Sequence, residues 1–191
     1  IASWWVNVHG HSHPYLAKKI SEQLSVLEHA IFSGFTHEPA VELAERLLKR
    51  LPENQSKIFY SDNGSTSVEV ALKMAFQYWS NLEIPKTKVI AFENAYHGDT
   101  FGGMSVGARN AFNMPFSKLL FDVIHIPVPV KGKEEECLSA MKKALQNDDV
   151  ASFIFEPLVQ GAGGMIMYPA EVLDQLICMC RDKKVISIAD E

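Results

Sequence analysis

The chain has 191 residues, 47% hydrophobic and 21% charged, the composition of a globular protein with apolar side chains enough for a substantial core. A formal net charge of -5 and the lack of any Lys/Arg block argue against nucleic acid or an anionic membrane as partner, and no apolar run is long enough to predict a spanning helix. Three cysteines, Cys137, Cys178 and Cys180, form neither a C-x-x-C pair nor an even disulfide set and suit a reducing, cytoplasmic setting; Cys178 and Cys180 are expected as small apolar residues on or beside the inner side of a helix.

In chain order, an apolar start containing Trp4 and Trp5 leads into His9-Gly10-His11-Ser12-His13-Pro14. Alternate histidines of an extended backbone share one side, as chelation requires. No carboxylate or cysteine pairs with them, however, and the glycine and proline indicate a loop, so a polar turn is expected and no metal is assigned. Leu16, Ile20, Leu24, Leu27 and Ile31 are spaced as one helical face over 15–31. Pro39 opens a second helix carrying Val41, Ala44, Leu47, Leu48 and Leu51.

Residues 57–60 read as an apolar strand that breaks at Ser61-Asp62-Asn63-Gly64-Ser65-Thr66 into an amphipathic helix with Val68, Ala71, Leu72, Ala75, Phe76 and Trp79 on one face. This turn supports two readings. Small polar residues before a helix cap its free amides. The same amides and the positive end of the helix dipole favour an anion, most naturally a phosphate.

Beyond Pro85, strands are predicted at 88–93, 123–126, 151–156 and, as a buried strand, 185–191. Helices are predicted at 134–146 and from Pro169 onward, and glycine-rich loops at 94–103 and 160–164, the first leading into a short helix. Alternating strands and helices argue for an α/β domain with a largely parallel sheet, whose ligands collect at the carboxyl ends of the strands. Ser61 to Thr66, Tyr96 to Gly98, Glu156 and Asp190 all follow predicted strands.

A phosphate at Gly64-Ser65, an aromatic face at Tyr96 and an acid at Asp190 together suit a flat phosphorylated heteroaromatic cofactor. Pyridoxal phosphate fits that description, because a carboxylate beside its ring nitrogen favours the protonated, electron-withdrawing form. Each residue also has an ordinary structural alternative: Tyr96 as a packing aromatic, His97 as a hydrogen-bonding strut, Glu156 and Asp190 as strand terminators. A dinucleotide-binding fold is excluded more simply, since neither G-x-G-x-x-G after the first strand nor G-x-x-x-x-G-K-[ST] occurs.

Ser61-Asp62-Asn63-Gly64-Ser65, Tyr96-His97-Gly98, Glu156-Pro157 and Ile188-Ala189-Asp190-Glu191, in this order, resemble the class III, fold type I PLP-dependent aminotransferases. Ser3-Trp4-Trp5, Phe35-Thr36-His37-Glu38-Pro39-Ala40, Gln77-Tyr78-Trp79 and the run YHGDTFGGMSV from Tyr96 to Val106 resemble the biotin-pathway branch of that family. The resemblance implies a three-layer domain around a mostly parallel sheet, here incomplete, with residues 1–56 as N-terminal loop and helices and 57–191 as α/β core. It also implies transfer of an amino group from S-adenosylmethionine or lysine to 8-amino-7-oxononanoate, with pyridoxal 5'-phosphate as cofactor, in a cytoplasmic homodimer. By the same resemblance Gly64 and Ser65 bind the phosphate, Tyr96 stacks on the ring and Asp190 pairs with its nitrogen. His97 lies near the ring, Trp4, Trp5, Tyr96 and Asp99 face the substrate, and Glu156 takes no sharper role. The family's Schiff-base lysine follows the Asp190 strand and has no counterpart here. Both chain ends read as cut, so a piece of a longer protein is expected. Another class III ω-aminotransferase, or a non-catalytic phosphate-ligand binding or assembly fragment, remains the alternative.

Overall fold

The computed structural model describes residue 3 and residues 6–191, so Trp4 and Trp5 lie outside the described residues. It divides into two compact units, Ile1–Phe59 and Tyr60–Glu191. The first carries helices α1, Pro14–Leu24, and α2, Glu38–Leu48, each with proline in its first turn, where no intrahelical N–H is needed. Apolar periodicity predicts α1 as far as Ile31, but the helix stops at Leu24. The chain there tightens into i→i+3 bonds, with Val26 N–H donating to the Gln23 carbonyl at 3.0 Å. The Gln23 side-chain amide donates to the Leu27 carbonyl at 2.8 Å, a local alternative to continuing the helix.

The 57–60 segment, predicted as a strand, pairs with no strand among the described residues, and Phe59 is exposed. Its apolar pattern reports side-chain character, whereas a strand also needs a ladder partner. Helix α3, Gly64–Asn81, does follow the turn and buries Val68, Leu72, Ala75 and Trp79.

The Tyr60–Glu191 unit is built on a four-stranded sheet of order β2-β1-β3-β6, every pair parallel. Its strands are β1, Lys88–Phe92; β2, Val123–Ile126; β3, Val150–Phe155; and β6, Ile186–Ala189. Alternation along them divides the core into two layers. Ile90, Phe92, Phe153 and Phe155 face one side, where helices α5, Glu134–Ala144, and α6, Ala170–Asp182, contribute Cys137, Leu138, Met141, Leu173, Leu176 and Cys180. Val89, Ala91 and Ile154 face the other side, against Val68 and Leu72 of α3 and Val106 of α4, Phe101–Val106. The result is the expected α/β arrangement, helices on both faces of a parallel sheet.

Three further local readings need correction. The 94–103 stretch turns helical at Phe101, because the Thr100 hydroxyl caps α4 by accepting the Gly103 N–H at 3.3 Å. The loop at 160–164 is the tip of a small antiparallel hairpin, β4, Val159–Gln160, with β5, Ile166–Met167; two-residue strands are too short to carry a pattern. The last strand is only partly buried: among the described residues β6 pairs with β3 alone, and Ser187 and Ala189 are exposed while Val185 is buried. Among the described residues no helix is long and apolar enough to cross a membrane.

Cys178 departs from its expected place. Two residues on from Leu176 is about 200° around a helix, so Cys178 points outward while Cys180 joins the core. Burial pushes the thiols of Cys137 and Cys180 up to about 12. Titration of the native chain with a chromogenic disulfide reagent is therefore expected to modify Cys178 rapidly and the other two only after denaturation. Equal reaction of all three native thiols would contradict this packing.

Candidate functional site

Parallel pairing sends the carboxyl ends of β1, β3 and β6 to one edge of the sheet, and the residues that follow them come together there. After β6, the Asp190 N–H donates to the Phe155 carbonyl at 2.9 Å and carries the ladder one residue further. Asp190 Oδ2 then meets His97 Nδ1 at 2.7 Å. His97 is only 2% exposed, and its Nε2 is buried without a partner among the described residues. A proton on Nε2 would be left unpaired, so the geometry favours the Nδ1–H tautomer, with Nδ1 donating to the carboxylate.

Tyr96 precedes this histidine and is half-exposed. Its hydroxyl donates to Asp99 Oδ2 at 2.9 Å, and partial burial together with that bond raises its pKa, so the group stays a phenol. The Asp99 N–H donates to Ser65 Oγ at 3.2 Å, which joins the loop after β1 to the start of α3. Gly98 makes this approach possible. Its φ is +101°, and a Cβ there would lie 2.2 Å from Ser65 Oγ.

At the start of α3, capping takes only part of the free backbone. Asn63 Oδ1 accepts the Thr66 N–H at 3.0 Å, Thr66 Oγ1 accepts the Asn63 N–H at 3.3 Å, and the Asn63 carbonyl accepts the Ser67 N–H. The amides of Gly64 and Ser65 have no acceptor among the described residues, and the space beside Gly64 Cα is open. Capping and anion binding are thus compatible, with the cap satisfying the Asn63 and Thr66 amides and leaving those of Gly64 and Ser65. Asp62 accepts from Thr66 Oγ1 at 2.5 Å, a bond that holds its carboxyl below the usual carboxylate range.

Of the residues singled out in the sequence, Gly64, Ser65, Tyr96, His97, Asp99, Glu156 and Asp190 belong to this edge of one unit. The fold adds several that the sequence reading passed over. The Thr100 hydroxyl donates to Glu69 Oε2 at 2.7 Å, pinning α4 to α3. Gln160, fully buried, donates to the Glu93 carbonyl at 2.9 Å. Tyr168, whose hydroxyl burial keeps protonated, donates to the Glu156 carbonyl. A threonine three residues before Gly103 is a capping signal; nothing local marks Gln160 or Tyr168. His9 and His13 pack edge to face with centroids 6.1 Å apart, and no His/Cys/Asp/Glu group with metal-holding geometry occurs among the described residues.

Donors at a helix start, an aromatic face and a histidine-braced carboxylate suit a planar ligand carrying a phosphate at one end and a protonated ring nitrogen at the other. The two glycines of the site are expected to respond differently to alanine. Gly98→Ala should lower stability by about 2 kcal/mol, from left-handed backbone and the clash with Ser65. Gly64→Ala, with open space for its methyl group, should unfold within about 1 kcal/mol of the parent chain in urea. Equal losses would show that the Gly98–Ser65 approach is not a constraint.

The family model described as aminotransferase class-III matches residues 1–191. The adenosylmethionine-8-amino-7-oxononanoate aminotransferase of Synechococcus elongatus is 53% identical over all of this chain and 47% of its own length. Its counterpart in Staphylococcus aureus is 40% identical, again over the whole chain and 45% of its own length. The chain thus spans about half the length of these curated relatives. Among solved structures, the enzyme of that name from Methanocaldococcus jannaschii superposes with a TM-score of 0.88 at 34% identity, over 95% of this chain and 42% of the other. An amine transaminase from an uncultivated Pseudomonas species, in a PLP-bound form, gives 0.87 at 32%, over 95% and 45%. A family match along the whole chain, on a parallel sheet with this site at its edge, means that the chain belongs to the class-III aminotransferases.

Proposed function

We propose that this chain is the cofactor-binding part of an enzyme that transfers an amino group to 8-amino-7-oxononanoate, giving 7,8-diaminononanoate, with pyridoxal 5'-phosphate as cofactor. The observation that carries the reading is the grouping of Ser65, Tyr96 and the His97–Asp190 pair at one sheet edge. Identity of 53% to a relative with that named activity supports the substrate.

In this reading the Gly64 and Ser65 amides hold the phosphate at the positive end of α3. Tyr96 offers its ring face to the pyridine ring, and Asp190 keeps the ring nitrogen protonated. His97 turns one carboxylate oxygen of Asp190 inward, leaving the other for the ring. When bound, the cofactor supplies an electron sink for the carbon that loses its proton. Asp99 orients Tyr96 through its hydroxyl and borders the substrate side. Trp4 and Trp5 are assigned to the substrate pocket, where indole faces suit an aliphatic chain or a cationic donor. S-adenosylmethionine is the proposed donor, with lysine second. The Tyr60–Glu191 unit is taken as the α/β core of the large domain. A cytoplasmic homodimer is proposed, and the exposed apolar residues Leu16, Ile20 and Leu24 of α1 are compatible with a partner.

The test uses the full-length protein that carries this chain, with pyridoxal 5'-phosphate, 8-amino-7-oxononanoate and either donor, reading the diamine by mass spectrometry. Turnover of ordinary ω-amino acids without any diamine would refute the substrate and leave the cofactor assignment standing. Replacing the ring partner, Asp190→Ala, is expected to reduce turnover by roughly 10- to 100-fold, the worth of one charge-assisted hydrogen bond. Full activity in that variant would remove Asp190 from the site.

A further inference from the structure

The segment after β3 is fastened to the segment after β1 at three points within four residues. The Glu93 carbonyl accepts from Gln160 Nε2 at 2.9 Å. The Asn94 carbonyl lies so close to Gly163 that a Cβ there would come within 2.4 Å of it. The Tyr96 N–H donates to Glu156 Oε1 at 3.1 Å, while Glu156 Oε2 accepts the Gly161 N–H at 2.8 Å. Glu156 is itself held from behind, because its carbonyl accepts the Tyr168 hydroxyl.

A strand-end carboxylate invites an acid–base role, but both oxygens of this one are engaged by backbone amides. A carboxylate is also the side chain that this task requires. It presents acceptors on both arms, whereas a glutamine would turn an NH₂ toward one of the two N–H donors. We propose that Glu156 is a positioning residue: by bridging the Tyr96 and Gly161 amides it fixes the backbone from which the Tyr96 ring projects, and so sets the ring against the cofactor. The inference rests on Tyr96 as the residue that faces the cofactor ring.

Two measurements test it. In the full-length protein that carries this chain, amide hydrogen exchange is followed by NMR for the parent, Glu156→Gln and Glu156→Ala. Exchange at Tyr96 and Gly161 is expected to accelerate by roughly tenfold or more, the scale of a hydrogen bond to a charged group, with the amides of Ile90, Phe92 and Ile154 unchanged. Unaltered exchange at Tyr96 overturns the proposal, as does acceleration spread evenly over β1 and β3, which would make Glu156 a contributor to general stability. In the full-length protein, dissociation of pyridoxal 5'-phosphate is measured for the parent, Glu156→Gln, Tyr96→Ala and the double variant. Glu156→Gln is expected to weaken binding about tenfold alone but no more than about twofold when Tyr96 is already alanine, the coupling of residues that act through one another. Equal losses in both backgrounds overturn it. A parent protein that takes up no pyridoxal 5'-phosphate would defeat the cofactor reading instead, and the exchange result would still decide whether Glu156 clamps Tyr96.

Discussion

Parallel strands all end at the same edge, and where they end the ladder can no longer satisfy their backbone. In this chain the termination is handled by a few polar contacts. The Glu93 N–H reaches the Ile126 carbonyl and the Asp190 N–H reaches that of Phe155. The next donors and acceptors out, at Tyr96, Gly161 and Glu93, turn to the side chains of Glu156 and Gln160. Polar residues are concentrated there because the sheet stops there, and a ligand binding at that edge meets groups already held in place.

The start of α3 shows the same economy. Asn63 and Thr66 close a reciprocal cap, so the helix begins at Gly64 without help from any ligand. Two amides and the positive end of the dipole nevertheless remain directed outward. A chain of net charge -5 has no general attraction for a phosphate. Affinity for one must come from local donors, and this helix start is where they are grouped. The Asp99–Ser65 bond and the Gly98 approach then join the start of the helix to the loop bearing Tyr96 and His97.

His97 and Glu156 divide the support of the site between them. One braces the carboxylate of Asp190 from inside the fold, and the other holds the backbone of Tyr96 from across the sheet edge. Neither function needs unusual chemistry. Both need a polar side chain placed, at a cost in desolvation, where a backbone or carboxylate partner compensates it. A histidine with one bonded nitrogen and a glutamate with two bonded oxygens meet that requirement in different ways.

Much of this was legible in the residues alone, because alternation in strands and 3.6-residue periodicity in helices are written locally. Val89 to Phe92, Val68 to Trp79 and Leu138 to Met141 declare their elements and their inward faces without reference to the rest of the chain. Gly64 and Ser65, which open α3, and Tyr96 and Asp190, which follow β1 and β6, could be singled out near predicted element boundaries, while their roles rest on the family resemblance. Periodicity also misled where it reports side-chain character but neither burial nor pairing, as at 57–60 and 25–31, and where an element is too short to repeat, as in β4 and β5. Pairings across the chain were decided by tertiary structure: Glu156 with Tyr96 sixty residues earlier, His97 with Asp190 ninety-three residues later, Gln160 with the Glu93 carbonyl. A carboxylate or an amide has the same character wherever it stands in a sequence, and only the order β2-β1-β3-β6 determines which backbone ends are left for it to satisfy.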